Sequence, residues 1–248
     1  EYVGPNGDII NAGGVTTFSR HTVVSENRVV KLPPNTPMDL AVLYGCALPT
    51  GAGIVFNEIE IETTSAVVIF GLGGIGLSAL VAAKTYAPQI LVGIDIEDSK
   101  LQLAKKLGAT HVINAADTDA IEAVRALTET EGADFVVEAS GLAKIIEQGF
   151  QMTRRNGGQL VFATHPKQGD MIELDPFELI CGKSIRGSWG GGSKPDIDIP
   201  KMDMLYKDGK LPLEAFVSHS YRLEDVNIAL SDLEQRKIVR ALIDMREE

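Results

Sequence analysis

The sequence predicts an α/β fold in which a doubly wound parallel sheet is covered by helices on both faces. From Ala66 onward, short apolar runs alternate with stretches of helical periodicity, a pattern typical of βα units whose strands are buried on both faces. A run of glycines directly follows the first apolar run, and an acidic residue ends the second. Since crossovers between parallel strands are right-handed, such units wind into one open sheet.

Each predicted strand is a short run rich in apolar residues, and most are followed by a turn and a helix. The predicted strands cover residues 66–70, 90–94, 111–113, 134–138, 159–163 and 184–187. The predicted helices cover residues 74–86, 99–107, 119–127, 144–152 and 175–181. Gly108 is expected to follow the end of the second helix, since a left-handed glycine is common there.

An uncharged segment, residues 63–83, is long enough to suggest a transmembrane helix. Glycines at positions 71, 73, 74 and 76 stand in its middle. Each of them costs about 1 kcal/mol in a helix relative to alanine. A buried strand, a glycine turn and a helix are therefore the better prediction for this segment.

The two ends of the chain do not continue the βα rhythm. Strands are predicted over residues 17–24, 28–32 and 238–243, and helices over residues 199–207 and 223–235. We therefore predict a central domain over residues 48–190. The flanking segments, residues 1–47 and 191–248, are predicted to belong to a second domain that brackets it.

Charge and cysteine content exclude several classes of partner. The chain has 23 Lys and Arg against 34 Asp and Glu, a net charge of −11, whereas nucleic acids and anionic membranes attract clustered positive charge. We therefore expect no nucleic-acid or membrane partner. The two cysteines, Cys46 and Cys181, do not make a disulfide framework, which indicates a reducing compartment such as the cytoplasm.

The glycine run has the pattern G-x-G-x-x-G between a predicted strand and a predicted helix, the context in which this motif binds dinucleotides. Gly71 allows a tight turn, Gly73 lets the backbone approach a pyrophosphate, and Gly76 lets the helix pack closely on the sheet. The helix N-terminus offers free N–H groups to the phosphates. We predict a Rossmann domain, with a generic glycine turn as the alternative. The predicted cofactor-binding loop is Gly71, Leu72, Gly73, Gly74, Ile75 and Gly76.

Asp95 ends the second predicted strand, 19 residues after Gly76. The acid that binds the adenosine ribose lies about 20 residues after this loop, and its carboxylate accepts hydrogen bonds from the 2′-OH. The same charge repels a 2′-phosphate, so NAD is favoured over NADP. Asp95 has an alternative role as the N-cap of the next helix, and Lys100 is either a second ribose ligand or a solvated lysine. S-adenosylmethionine methyltransferases also pair a glycine loop with an acid, so the fingerprint alone does not identify an enzyme.

With these features, the sequence resembles the zinc-containing alcohol dehydrogenases of the medium-chain dehydrogenase/reductase family. The similarity runs in order over essentially the whole chain. Besides the glycine loop, the matching stretches are TTFSRHTVV (16–24), GCALPTG (45–51), GIDI (93–96), KLGAT (106–110) and KIVRA (237–241). Within the family, residues 101–114 are most similar to the aryl (benzyl) alcohol dehydrogenases.

The resemblance implies two residues of the catalytic centre. Cys46 matches the family's third protein ligand to the catalytic zinc, and Thr50 matches a threonine that lines the nicotinamide site. A thiolate is a suitable zinc ligand, and an open catalytic site needs three protein ligands. Without the resemblance, a lone cysteine in an apolar stretch would be interpreted as a small buried hydrophobic residue.

The resemblance also implies residues of the cofactor site. Asp95 and Lys100 match the ribose-binding pair. Ala139 and Ala163 fall where the backbone lines the cofactor cleft. Arg240 matches a basic residue that reaches the pyrophosphate.

The implied activity is zinc-assisted hydride transfer between an alcohol, aromatic in the aryl alcohol dehydrogenases, and NAD. In such an enzyme the zinc acts as a Lewis acid on the substrate oxygen. The resemblance also implies that the flanking segments are parts of a GroES-like, β-rich catalytic domain. Homo-oligomers, dimers or tetramers, are also implied, with the edge strand 184–187 and Trp189 as the expected contact.

The family's other zinc ligands and its proton relay lie upstream of the matched region. The chain also begins at Glu1 rather than at a methionine, so we expect a partial or truncated form with doubtful activity on its own. A non-catalytic NAD-binding module is the first alternative. A methyltransferase is the second alternative.

Overall fold

The computed structural model describes residues 2–3, 6–7, 9–10, 17–129, 131–217, 219–235, 237–238 and 240–246. Its contacts divide the chain into two compact units, residues 41–213 and residues 1–40 with 214–248. In chain order, the strands are β1 (Tyr2–Val3), β2 (Ile9–Ile10), β3 (Ala66–Phe70), β4 (Ile90–Asp95), β5 (His111–Asn114), β6 (Phe135–Glu138), β7 (Gln159–Phe162), β8 (Ser184–Gly187), β9 (His219–Arg222) and β10 (Ala241–Asp244). The helices are α1 (Met38–Ala41), α2 (Ala47–Gly53), α3 (Gly74–Lys84), α4 (Asp98–Lys106), α5 (Ala120–Leu127), α6 (Ala143–Met152), α7 (Pro176–Ile180), α8 (Pro195–Lys207) and α9 (Val226–Glu234).

The larger unit contains a six-stranded sheet with the order β5-β4-β3-β6-β7-β8, and every neighbouring pair in it is parallel. The strands predicted at 66–70 and 184–187 are confirmed at both ends, and the other four differ by one residue at one end. The five predicted helices are present with ends shifted by at most two residues. The prediction of a doubly wound α/β sheet is therefore confirmed.

The strands form because their side chains are buried on both faces of the sheet. All five residues of β3 are buried, and Val68, Val92 and Val136 on three adjacent strands are fully inaccessible. Phe150 of α6 and Leu160 of β7 belong to the same core cluster. Burial of each such side chain stabilises the fold by about 1.5–3 kcal/mol, so the sheet is a firm base for the loops at its edges.

The local prediction about the end of α4 is confirmed. Gly108 has a φ of +111° directly after the end of α4, the left-handed conformation expected there.

The uncharged segment 63–83 is divided into β3 and α3, as predicted. No single helix in the described part of the chain is long and apolar enough to cross a membrane. Met38–Gly45 and Ala47–Glu58 meet that test only as a bent pair.

The strands predicted at 17–24 and 28–32 are wrong. Residues 17–32 contain a short 3-10 helix, Glu26–Arg28, and no strand. These segments are rich in β-branched residues, but strand formation depends on cross-strand partners and on burial. Val23 is 92% exposed and Val29 is 53% exposed, so neither condition is met.

The C-terminal predictions are partly wrong. The helix predicted at 199–207 begins earlier, at Pro195, where a proline in the first turn needs no N–H donor. The predicted helix 223–235 is a 3-10 turn, Leu223–Asp225, followed by α9. The last strand begins at Ala241 rather than at 238, and it pairs in parallel with β9, which was not predicted.

Residues 191–213 belong to the same compact unit as the sheet, and Met202, Leu211 and Leu213 among them are fully buried. The predicted central domain, residues 48–190, therefore lies inside a wider unit. The assignment of the remaining flanks to a GroES-like domain stays a prediction. In the smaller unit, β1 pairs with β2 in antiparallel orientation.

Helix α2, which was not predicted, packs closely on α3. An ideal Cβ built on Gly51 would contact Ile75 O, would lie 2.8 Å from Ser78 Cβ and would lie 2.9 Å from Ala79 N. Only a glycine allows this approach, because the backbone of α3 occupies the space.

We predict that Gly51→Ala destabilises the chain although alanine has the higher helix propensity. The overpacking cost of about 1–3 kcal/mol exceeds the propensity gain of at most about 1 kcal/mol. Gly45→Ala is the matched control, since its Cβ would have no atom within 4 Å among the described residues. Urea unfolding would measure both variants, and equal unfolding free energies for the two would contradict the close α2–α3 packing.

Candidate functional site

The candidate site lies at the carboxyl ends of the central strands. The chain order of the strands reverses between β3 and β6, since β3 pairs with β4 on one side and with β6 on the other. Ligands of open α/β sheets bind in the crevice outside such a switch point. Gly71 N donates to Ile94 O at 2.8 Å, and Ala139 N donates to Phe70 O at 2.8 Å. The loops after β3, β4 and β6 therefore converge at one place.

The three spaced glycines of the loop are required for three different reasons. Gly71 has a φ of +91° and lies against Ala139, whose carbonyl carbon would be 2.9 Å from an added Cβ. A Cβ on Gly76 would collide with Gly71 O. Gly73 has an ordinary φ of −79°, and a Cβ there would have no described atom within 4 Å. Packing within the protein therefore does not require a glycine at position 73, whereas a ligand that approaches the backbone would.

Helix α3 begins directly at this loop. Its N-cap is Gly73, and no side chain caps the helix. The first N–H groups of a helix have no partner within the helix and attract anions. Leu72, predicted as a cofactor residue, has a fully buried side chain, so it takes part in the site through its backbone.

Asp95, the last residue of β4, is buried and fixed from two sides. Its Oδ2 accepts a hydrogen bond from Leu72 N at 2.8 Å, and its Oδ1 accepts from Ile96 N at 2.8 Å and from Glu97 N at 3.1 Å. Lys100 Nζ lies 3.6 Å from Oδ2. The N-cap of α4 is Glu97, so the alternative of Asp95 as the helix cap is wrong. The structure thus brings the predicted acid, lysine and glycine loop together.

Ala139 and Ala163 follow adjacent strands at the same edge of the sheet. Ala163 N donates to Glu138 O at 3.4 Å. A Cβ on Gly141 would lie 2.7 Å from Thr164 Cγ2, so the segments after β6 and β7 are in contact. Both predicted alanines therefore belong to the group of loops that contains the glycine run.

Cys46 and Thr50 lie at the start of α2. Thr50 N donates to Cys46 O at 3.0 Å, and Thr50 is buried. Gly51, the next residue, packs on Ile75 of the glycine loop. Cys46 is exposed, which contradicts the alternative of a small buried hydrophobic residue. Its role as a metal ligand stays a prediction.

A second glycine turn, which sequence analysis missed, clamps α2. Gly190, Gly191 and Gly192 have φ values of +62°, +69° and +58°, a left-handed run that other residues rarely adopt. A Cβ on Gly191 would lie 2.6 Å from Pro49 O, and Ser193 Oγ donates to the same oxygen at 2.7 Å. The three consecutive glycines in the sequence could have indicated this turn. The turn lies against the backbone next to Thr50.

Arg240 belongs to the unit formed by residues 1–40 and 214–248, where it precedes β10. Its predicted contact with a pyrophosphate stays a prediction.

The residues present fit a dinucleotide but do not by themselves fit a zinc ion. The open space at Gly73, the uncapped helix and the fixed Asp95 carboxylate match the phosphate and ribose groups of a dinucleotide. In the part of the chain that the structure describes, no three His, Cys, Asp or Glu side chains are grouped around a possible metal position. A single thiolate is insufficient, because zinc sites use three or four protein ligands.

Comparisons with known proteins agree with this geometry. A family model described as zinc-binding dehydrogenase matches residues 74–206, more than half of the chain. The class-3 alcohol dehydrogenase of Cereibacter sphaeroides is 30% identical over 242 residues, which cover 95% of this chain and 64% of the relative. Alcohol dehydrogenase-like 1 of Arabidopsis thaliana is 34% identical over 234 residues, which cover 93% of this chain and 60% of the relative.

Solved structures of dehydrogenases have the same fold. Benzyl alcohol dehydrogenase from Acinetobacter calcoaceticus superimposes with a TM-score of 0.85 at 34% identity, covering 90% of this chain and 61% of that one. An alcohol dehydrogenase zinc-binding domain protein from Burkholderia ambifaria gives a TM-score of 0.86 at 32% identity, covering 91% and 60%.

The chain spans about three fifths of the length of these relatives. None of these findings supports the methyltransferase alternative, and the resemblance to zinc-containing alcohol dehydrogenases is confirmed. The chain therefore belongs to the zinc-binding dehydrogenase family.

Proposed function

We propose that this chain is the cofactor-binding part of an NAD-dependent alcohol dehydrogenase, which transfers a hydride between an alcohol or aldehyde and NAD. The central observation is the Asp95 carboxylate, which is fixed beside the glycine loop by the N–H of Leu72. The names of the relatives, alcohol dehydrogenases and a benzyl alcohol dehydrogenase among them, support the substrate class. Aromatic alcohols are the first substrates to assay.

The preference for NAD follows from the charge at the end of β4. Among the described residues, Asp95 Oδ2 accepts only one backbone N–H, and each carboxylate oxygen has about two lone-pair sites, so Oδ2 can accept one ribose hydroxyl while the backbone donors are kept. A 2′-phosphate in the same place would meet a negative charge with little water to screen it. Lys100 Nζ lies 3.6 Å from Asp95 Oδ2, which supports its role as a second ligand of the same ribose.

The chain contributes mainly binding and orientation. Free N–H groups of α3 would hold the pyrophosphate above Gly73, and Asp95 would orient the adenosine ribose. When bound, the nicotinamide supplies the hydride chemistry, and the protein supplies position and electrostatics. Cys46, the predicted zinc ligand, would not hold a zinc ion alone, since zinc sites use three or four protein ligands. Correct orientation alone accounts for several kcal/mol of rate enhancement, up to about 7–11 kcal/mol in well-oriented intramolecular reactions.

We also propose a homo-oligomer in the cytoplasm. Strand β8 is at the edge of the sheet, and nearby Ile180 and Trp189 are 80% and 84% exposed, features typical of a surface covered by another subunit. Light scattering would measure the mass, and a monomer at all concentrations would contradict the oligomer.

The proposed compartment is supported by the cysteines. Both are free, as expected in a reducing compartment.

Calorimetric titration with NAD, NADP and S-adenosylmethionine tests the proposed cofactor. We expect binding of NAD, weaker binding of NADP and none of S-adenosylmethionine. Binding of S-adenosylmethionine without NAD would contradict the proposal. Turnover of alcohols by the whole gene product then tests the reaction, and NAD binding without any turnover would favour the non-catalytic module.

Asp95→Asn should weaken NAD binding about tenfold or more, since hydrogen bonds to a charged group contribute about 1.5–3 kcal/mol. The ratio of NADP to NAD affinity should rise because the repulsive charge is gone. Asp98→Asn is the matched control, since Asp98 is exposed in the first turn of α4 and accepts from Asn114. An unchanged cofactor ratio in Asp95→Asn would refute the ribose role.

Gly73→Val should abolish NAD binding and leave the fold intact. The branched side chain would occupy the space above the backbone, but no described atom lies within 4 Å of its Cβ. The unfolding free energy should therefore fall by no more than about 1 kcal/mol, because valine is a poorer N-cap residue than glycine. Retained NAD affinity in this variant would show that the loop does not hold the pyrophosphate.

A further inference from the structure

Glu138 is a fully buried carboxylate at the carboxyl end of β6. Burial of an ionised carboxylate costs several kcal/mol unless hydrogen bonds compensate. Burial raises the pKa of Glu138 above its ordinary value, although hydrogen bonds from Ser140 and Gly141 act in the opposite direction. A carboxylate that is buried at such a cost calls for a specific role.

One oxygen of Glu138 collects three donors from the loop that follows. Oε1 accepts from Ser140 N at 2.6 Å, from Gly141 N at 3.1 Å and from the Ser140 hydroxyl. The other oxygen, Oε2, is buried and has no hydrogen-bond partner among the described residues. The side chain therefore organises the backbone of residues 139–141 rather than pairing with a cation.

This loop is held between two others. On one side, an ideal Cβ on Gly71 would lie 2.8 Å from Ser140 N. On the other side, Gly141 has a φ of +76°, and its Cβ would lie 2.7 Å from Thr164 Cγ2. A small shift of residues 139–141 would therefore disturb both the glycine loop and the segment after β7.

The position of β6 determines which part of a dinucleotide this loop faces. Asp95 follows β4 on one side of β3, and Glu138 ends β6 on the other side. In a doubly wound sheet, a dinucleotide crosses the switch point with one mononucleotide on each half. Since Asp95 faces the adenosine ribose in the proposed function, residues 139–141 face the nicotinamide half.

We propose that Glu138 is a positioning residue for the nicotinamide half of NAD, acting through the loop 139–141. This inference rests on the proposed NAD binding. It requires no contact between Glu138 and the cofactor. The proposal therefore predicts a selective effect on affinity. Loss of Glu138 should weaken the binding of NAD but not that of AMP, which lacks the nicotinamide half.

The test compares NAD and AMP affinities of wild type, Glu138→Ala and Glu138→Gln by calorimetry. Glu138→Ala should lower the affinity for NAD about tenfold, the effect expected from one or two lost hydrogen bonds. Its affinity for AMP should stay within about twofold of the wild-type value. Glu138→Gln should keep most of the NAD affinity, since its carbonyl oxygen can still accept the two backbone N–H groups of Ser140 and Gly141. Equal weakening of NAD and AMP, or unchanged NAD binding, in Glu138→Ala would overturn the proposal.

Asp134→Ala is the matched control, since Asp134 directly precedes the opposite end of β6. Asp134 accepts from Ala66 N at 2.7 Å and from Arg154 Nε at 2.6 Å, so its loss should reduce stability without changing the ratio of NAD to AMP affinity. A changed ratio in this variant would indicate a general structural effect and overturn the proposal.

If Glu138→Ala does not fold, Gly141→Ala displaces the same loop with the carboxylate intact. This variant should also weaken the binding of NAD more than that of AMP, and equal effects on both affinities would overturn the role of the loop. Failure of the wild-type chain to bind NAD would instead refute the proposed function, so the two results are distinguishable.

Discussion

The candidate site depends on one interaction, the hydrogen bond of 2.8 Å from Leu72 N to Asp95 Oδ2. It joins the loop after β3 to the end of β4, and it fixes a charged group where the strand order of the sheet reverses. The same carboxylate accepts two N–H groups of its own turn. A buried charge held in this way is already desolvated and oriented before any ligand arrives, so binding requires little reorganisation.

Carboxylates at strand ends recur as loop organisers in this sheet. Asp95 does this at the end of β4, and Glu138 does it at the end of β6. Each accepts backbone N–H groups that would otherwise have no partner in a buried position. The two halves of the crevice are therefore built by the same physical device, on opposite sides of β3.

The sequence was sufficient to predict the sheet and the glycine loop because both depend on local patterns. Strand β3 is apolar throughout since it is buried on both faces, and its glycine loop directly follows it. The strands predicted near Val23 and Val29 failed because strand formation also needs partners from elsewhere in the chain.

Other parts of the site could not be predicted because they depend on tertiary contacts. Helix α2 contains Gly51 and Gly53, which have low helix propensity, and close packing against α3 and the turn at Gly191 stabilises it. Glu138 was missed because a glutamate at the end of an apolar strand is normally expected in solvent. Only the structure places it in the interior.

A crystal structure of the chain with NAD bound is the most direct test of this account. It should place the pyrophosphate over Gly73 at the N-terminus of α3, with a hydroxyl of the adenosine ribose within hydrogen-bond distance of Asp95. A dinucleotide bound at another surface, or bound at this crevice with Asp95 turned away from the ribose, would contradict the account.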